Sequence, residues 1–179
     1  LLLLVLVSSV LVSLALWICS GMLALGHTHG LAFTDGEQVV AWGDNHKGQL
    51  GDGTRVAREV PGIAFAASLC YLSARANHYL GLTEAGGVLA WGNNDFGKLG
   101  DGTTLGRLSA VAVLSGTCVR TLSAGWYHSL AVTESGELLA WGHNKLGQLG
   151  DGSKETRLAP VRILAAGARS VAAGWRHSL

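Results

Sequence analysis

Only two prolines, three cysteines and one methionine occur among 179 residues, and charged residues make up 14% of the chain. So little charge beside 49% hydrophobic residues excludes a solvated, disordered chain, because ample apolar surface must be buried. A formal net charge of +1 supplies no long-range attraction for nucleic acid, which is not indicated as a partner. Cys19, Cys70 and Cys118 are odd in number and lack the spacing of a metal site or redox pair, so they read as buried free thiols. No cofactor is indicated. Lys47-Gly48-Gln49 reverses the order that a phosphate-binding loop requires, and residues 93–97 lack the alternating ligands and terminal Glu of a calcium loop. Neither G-x-S-x-G nor a nucleophile paired with a base is present, so the chain reads as no enzyme.

Charge is missing altogether from residues 1–26. Residues 1–21 read as a hydrophobic signal or membrane-anchor segment, with membrane contact through residues 1–18. The alternative is the end of a preceding repeat, because Leu23-Ala24-Leu25-Gly26 takes the place held later by Val171-Ala172-Ala173-Gly174. The first reading places the protein on a membrane or secretory route, and the second inside the cell.

Glycine is abundant, with 26 residues that follow no collagen period and therefore mark turns. They belong to a repeat. His29, His78, His128 and His177 are spaced by 49, 50 and 49 residues, and Trp42, Trp91 and Trp141 follow the first three by 13. Behind the tryptophans come WGDNHKGQLGDGT, WGNNDFGKLGDGT and WGHNKLGQLGDGS, and 16 residues beyond each Trp stands Arg58, Arg107 or Arg157. The propeller repeats occupy residues 22–179, in units of about 29–77, 78–127 and 128–176 with another beginning at 177. In the third unit, apolar stretches at 130–133, 138–141, 160–164 and 170–173 alternate with turn residues, which predicts four short antiparallel strands. Four strands per fifty-residue unit predict an all-β partial propeller. Gly51, Gly100 and Gly150 suit positive φ in the loop, while Asp52, Asp101 and Asp151 suit turn closure. The tryptophans and histidines read as structural repeat residues, since equivalent positions on successive blades lie around a ring instead of converging on a metal. His27 and His29 form the one close pair, on one face if they share a strand.

The string W-G-x-N-x-x-G-x-L-G-D-G, preceded by A-G-x-x-H-S-L-A-[LV]-T, resembles the regulator of chromosome condensation repeat family. The resemblance covers residues 22 to 179 and implies seven blades, of which about three are present, so the chain reads as a fragment whose remaining blades lie elsewhere. Arg75 departs from the pattern where Gly26, Gly125 and Gly174 stand, as does Ala110 where Pro61 and Pro160 stand. The resemblance implies a protein-interaction scaffold. Its alternative is guanine-nucleotide exchange on a small GTPase, although the even repeat spacing leaves no room for an inserted wedge.

Trp126 and Trp175 stand two residues before His128 and His177, where the other units carry Ala76 and His27. Residues free to differ between repeats are free to serve a partner, so Trp126, Trp175 and Arg176 are the candidate partner-binding residues. Gly174-Trp175-Arg176-His177-Ser178 is also similar to the G-W-R-H-[ST] motif of plant ultraviolet-B photoreceptors, which implies a light-sensitive dimer as a further alternative. Tyr127 in place of Arg departs from that motif.

Overall fold

The computed structural model describes residues 23–34 and 37–179. Twelve strands form three four-stranded antiparallel sheets. The first sheet holds β1 (Leu23–Leu25), β2 (His29–Phe33), β3 (Gln38–Gly43) and β4 (Arg58–Ala66). The second holds β5 (Leu69–Arg75), β6 (His78–Thr83), β7 (Val88–Gly92) and β8 (Arg107–Leu114). The third holds β9 (Val119–Ala124), β10 (His128–Thr133), β11 (Leu138–Gly142) and β12 (Arg157–Leu164). Each is a meander in sequence order, the arrangement of a propeller blade.

The apolar pattern explains the layering. Every residue of β2, β6 and β10 is buried, apart from a half-buried Thr83 at the end of β6, because these strands are covered on both faces. The outer strands β4, β8 and β12 contain no fully buried residue. The core lies between blades. Leu31, Phe33, Val39 and Leu50 of the first meet Leu69, Leu72, Tyr79 and Trp91 of the second, and Leu80, Val88 and Leu99 meet Val119, Leu122 and Trp141 across the next junction.

The sheets cover 23–66, 69–114 and 119–164, offset from the units read in the sequence. The strand ahead of each periodic histidine pairs with the histidine strand that follows, through a tight turn closed by Gly26 N–H to His29 O and Gly125 N–H to His128 O. Residues 170–173, expected as the last strand of the third unit, therefore pair forward. Ala173 bridges Ser178, and Ala172 and Leu179 exchange backbone hydrogen bonds. The same turn corrects the His27/His29 reading, because His27 lies in the turn and is exposed while His29 is buried in β2.

Cys70 and Cys118 are free but exposed, not buried. Cys70 sits at the register shift between Leu69 and Tyr71, and Cys118 precedes β9 with φ +45°. These breaks in the ladder turn the thiols out of the core. Cys19 and the hydrophobic segment at 1–21 lie outside the described residues. Among the described residues, no helix is long and apolar enough to cross a membrane, and no group of three His, Cys, Asp or Glu is placed to hold a metal ion.

Candidate interaction surface

The loop after each repeat tryptophan is organised by an asparagine. Asn94 Nδ2 donates to Asp101 Oδ1, Thr103 O and Leu105 O, each at 3.0 Å, while its Oδ1 accepts Leu99 N–H at 2.9 Å. Asn45 and Asn144 make the corresponding bonds to Asp52 and Asp151 and to Leu50 and Leu149. Each asparagine is buried with its amide satisfied, which a buried polar group requires. The recurring W-G-x-N carried this signal, yet sequence reasoning assigned the turn to aspartate alone. The aspartates have a second partner in the periodic arginines, with Asp52–Arg58 at 2.8 Å, Asp101–Arg107 at 2.6 Å and Asp151–Arg157 at 2.8 Å. Burial would raise the Asp101 carboxyl, but bonds from Thr103, Arg107 and Asn94 hold it below its ordinary value. Asp151 is also held low, chiefly by the Ser153 N–H.

The loop carbonyl before the central leucine receives the next blade. Trp91 Nε1 donates to Gln49 O at 3.2 Å and Trp141 Nε1 to Lys98 O at 2.9 Å. Both indoles are fully buried, whereas Trp42, on the first described blade, is half-buried. Gly51 and Gly100, at φ +75° and +86°, lie against these rings, and a Cβ would come within 2.9 Å of Trp91 or 2.7 Å of Trp141. Gly150 also has positive φ, but a Cβ there would meet only Ile163, at 3.7 Å.

Serines extend the junctions. Ser129 Oγ donates to Lys98 O at 2.7 Å and Ser178 Oγ to Gln148 O at 2.6 Å, and His78 Nε2 and His128 Nε2 lie 3.1 and 3.0 Å from those hydroxyls. At the first junction Tyr79 replaces the serine. Both ring nitrogens of buried His29 consequently lack a hydrogen-bond partner among the described residues. Tyr79 instead stacks on Trp91 at 5.5 Å and 9° and meets the His29 ring edge-on. His177 is exposed.

Departures from the repeat gather on the loop face. Trp126 and Trp175 stack at 5.1 Å with 24° between their planes, the Arg176 guanidinium lies 5.8 Å from the Trp175 ring centre, and His27 meets Trp126 edge-on. Trp175 is 52% exposed. The structure thus brings the three candidate partner-binding residues together. Sequence reasoning missed their neighbours Phe96, Tyr127 and His143, which pack edge to face at 4.6 to 5.6 Å. It also missed Lys98. Gln49 Oε1 accepts Lys47 N–H and Gln148 Oε1 accepts Leu146 N–H, but a lysine at the same position has no acceptor to offer. Phe96, whose N–H loses that bond, adopts φ +65°, unlike Lys47 and Leu146. A bulky residue with positive φ is a backbone outlier, and it carries the Phe96 ring onto the next blade.

The family model described as Regulator of chromosome condensation (RCC1) repeat matches residues 85–132 and 135–179, more than half of the chain, and a second RCC1 repeat model matches 119–148. Among solved structures, yeast RCC1 (Prp20) bound to Kap60 is similar at 24% identity and TM-score 0.75, over 87% of this chain and 40% of that one. Prp20p from Saccharomyces cerevisiae is similar at 25% identity and TM-score 0.69, over 87% and 42% of the two chains. Human WBSCR16 is similar at 21% identity and TM-score 0.53, over 87% and 56%. No curated protein matches the sequence. The chain spans about two fifths of the length of the yeast proteins. Three meander blades, the recurring tryptophan loops and these matches agree that the chain belongs to the regulator of chromosome condensation (RCC1) repeat family.

Proposed function

We propose that this chain is a non-enzymatic protein-interaction scaffold that engages its partner through the loop face around Trp126, Trp175 and Arg176. The observation that carries this reading is the stacked Trp126–Trp175 pair, with Arg176 against it and Trp175 half in solvent. Both tryptophans occupy repeat positions that a histidine and an alanine fill elsewhere, so blade formation does not demand them. Aromatic and arginine side chains concentrate binding energy because they bury large areas and make directed contacts. The test is quantitative co-purification from the native source, comparing wild type with Trp126→Ala and Trp175→Ala. Loss of the same partners from folded variants is expected; undiminished recovery would remove the face from the interaction.

A regulator of a small GTPase is the second reading. It draws on the similarity to Prp20p, whose crystal structure is described together with its binding to Gsp1p and histones. Accelerated release of labelled guanine nucleotide from a GTPase would favour it. Dissociation of a dimer under ultraviolet-B light would instead favour the photoreceptor-like alternative.

A further inference from the structure

At the loop face, next-but-one blades touch. Arg75, at the end of β5 in the second blade, donates from Nη1 to Ala173 O at 3.5 Å, in the strand pair beyond the third blade. His27 of the first blade meets Trp126 of the third edge-on, with ring centres 5.9 Å apart. Contacts that skip a blade form only beside the propeller axis, where the innermost strands converge. Arg75, His27 and Trp126 therefore lie at the mouth of the central channel, and Trp175 extends the cluster through its stack on Trp126.

The repeat does not need an arginine here. The counterparts of Arg75 are Gly26, Gly125 and Gly174, where a Cβ would run into the ring of His29, His128 or His177. The second blade makes room with a different turn. Arg75 pairs with His78 at the end of the ladder, His78 Nδ1 lies 3.1 Å from Arg75 O, and Ala76 adopts φ +51°. An alanine at positive φ is strained, so the blade carries a cost to hold an arginine at this place.

That guanidinium keeps donors to offer. Arg75 is exposed, its long bond to Ala173 O occupies a single N–H, and it has no ion pair among the described residues. Arg176 is exposed too, touches Trp175 and has no ion pair among the described residues. The acids on this face are engaged within their own loops: Asp44 by His46 and Gln49, Asp95 by Asn93, Glu155 by Arg157, and Asp52, Asp101 and Asp151 by the periodic arginines. Beside Arg75 opens a crevice of about 260 Å³, with Leu25, Ala74, Ala76 and Trp126 as apolar walls and His27 among them. No carboxylate lines it.

We propose that the channel mouth binds an acidic segment of a partner protein, one carboxylate entering the crevice to meet Arg75 and a second meeting Arg176, with apolar side chains of the segment over the exposed Trp175. This deepens the interaction-scaffold reading and rests on it. Charge complementarity selects the occupant: a basic segment would face two unpaired guanidinium groups, and a purely apolar one would cover them without a partner.

The test is fluorescence anisotropy of a labelled twelve-residue peptide, Glu and Asp alternating with Val and Ala, titrated with the intact protein. A second peptide carries Gln and Asn in place of the acids, and a labelled single-stranded oligonucleotide is the third probe. The acidic peptide should bind at least about tenfold more tightly than its neutral counterpart, and more weakly as salt rises. Arg75→Gly restores the residue found in the other repeats and Arg176→Gln changes an exposed side chain, so both retain the fold, and each should weaken the acidic peptide by about tenfold. Arg169→Gln removes one charge from the turn at the opposite face and should change the affinity by less than about twofold. Equal binding of the two peptides, no binding by wild type up to millimolar concentration, an equal loss in Arg169→Gln or unchanged affinity in Arg75→Gly would each overturn the proposal. So would tighter binding of the oligonucleotide than of the acidic peptide. If Arg75→Gly keeps its affinity while Trp126→Ala loses it, the crevice falls and the interaction face stands. If native partners are recovered equally by Trp126→Ala and Trp175→Ala, the broader reading falls first.

Discussion

Trp126 stands just ahead of β10 and Trp141 lies in β11 of the same blade, and their surroundings are opposite. Trp141 is sealed between blades, with its N–H on the Lys98 carbonyl and its ring against Gly100. Trp126 is only half-buried, stacked on Trp175 across the loop face. Trp91 repeats the environment of Trp141, and among the described residues no second pair repeats that of Trp126 and Trp175. One residue type can thus be obligatory to the fold or surplus to it, depending on whether its neighbours recur with the repeat.

The largest separation of the two classes should appear on truncation. Trp141→Ala should cost about 3 to 5 kcal/mol in denaturant unfolding through the cavity it leaves, whereas Trp175→Ala should change stability by no more than about 0.5 kcal/mol, as at other exposed sites. Equal losses would erase the distinction. Trp42→Ala should fall between them, because Trp42 is half-buried.

Acid sharpens the comparison between junctions. Burial lowers the pKa of His29 and of His128 to about 4, and that of fully buried His78 falls well below its ordinary value for the same reason. The unfolded chain takes up these protons first, so stability present above pH 6.5 is lost as pH falls from 6.5 towards 4, by up to about 3 kcal/mol for each of His29 and His128. Below about pH 4 the loop carboxylates add to the loss, since Asp52, Asp101 and Asp151 are all held low in the folded state. Unfolding free energy that is flat between pH 7 and pH 5 would contradict the buried neutral histidines.

Asn94→Ala should cost about 1 to 3 kcal/mol, because it removes the donor shared by Asp101, Thr103 and Leu105 and leaves the buried Leu99 N–H without its acceptor. Lys98→Gln should do the reverse, raising stability by roughly 0.5 to 1.5 kcal/mol as the loop regains an acceptor for Phe96 N–H. Thermal melts of both variants check the signs.

The blades were legible because their signal recurs: glycine loops, tryptophans and the histidine spacing set the number and type of strands. Their frame was not legible, because a strand such as 170–173 is equally apolar whether it closes one sheet or opens the next. The tight turn at 125–127, closed by Gly125 N–H to His128 O, decides that. The Trp126–Trp175 proximity was foreshadowed by their equivalent positions on adjacent repeats. Lys98 was hidden, since a lysine among polar loop residues looks solvated until the neighbouring blade is placed over it. Phe96 was hidden for a related reason: its positive φ accompanies the loss of an acceptor two residues away.

The central claim is that recurrent residues hold the blades together and the tryptophans outside the repeat serve recognition. It is tested most directly on one protein, the Trp126→Ala/Trp175→Ala double variant, by measuring affinity for the recovered partner alongside equilibrium unfolding. The account predicts affinity at least about tenfold weaker with the unfolding midpoint little changed. Intact affinity together with a large loss of stability would show that these tryptophans belong to the fold after all.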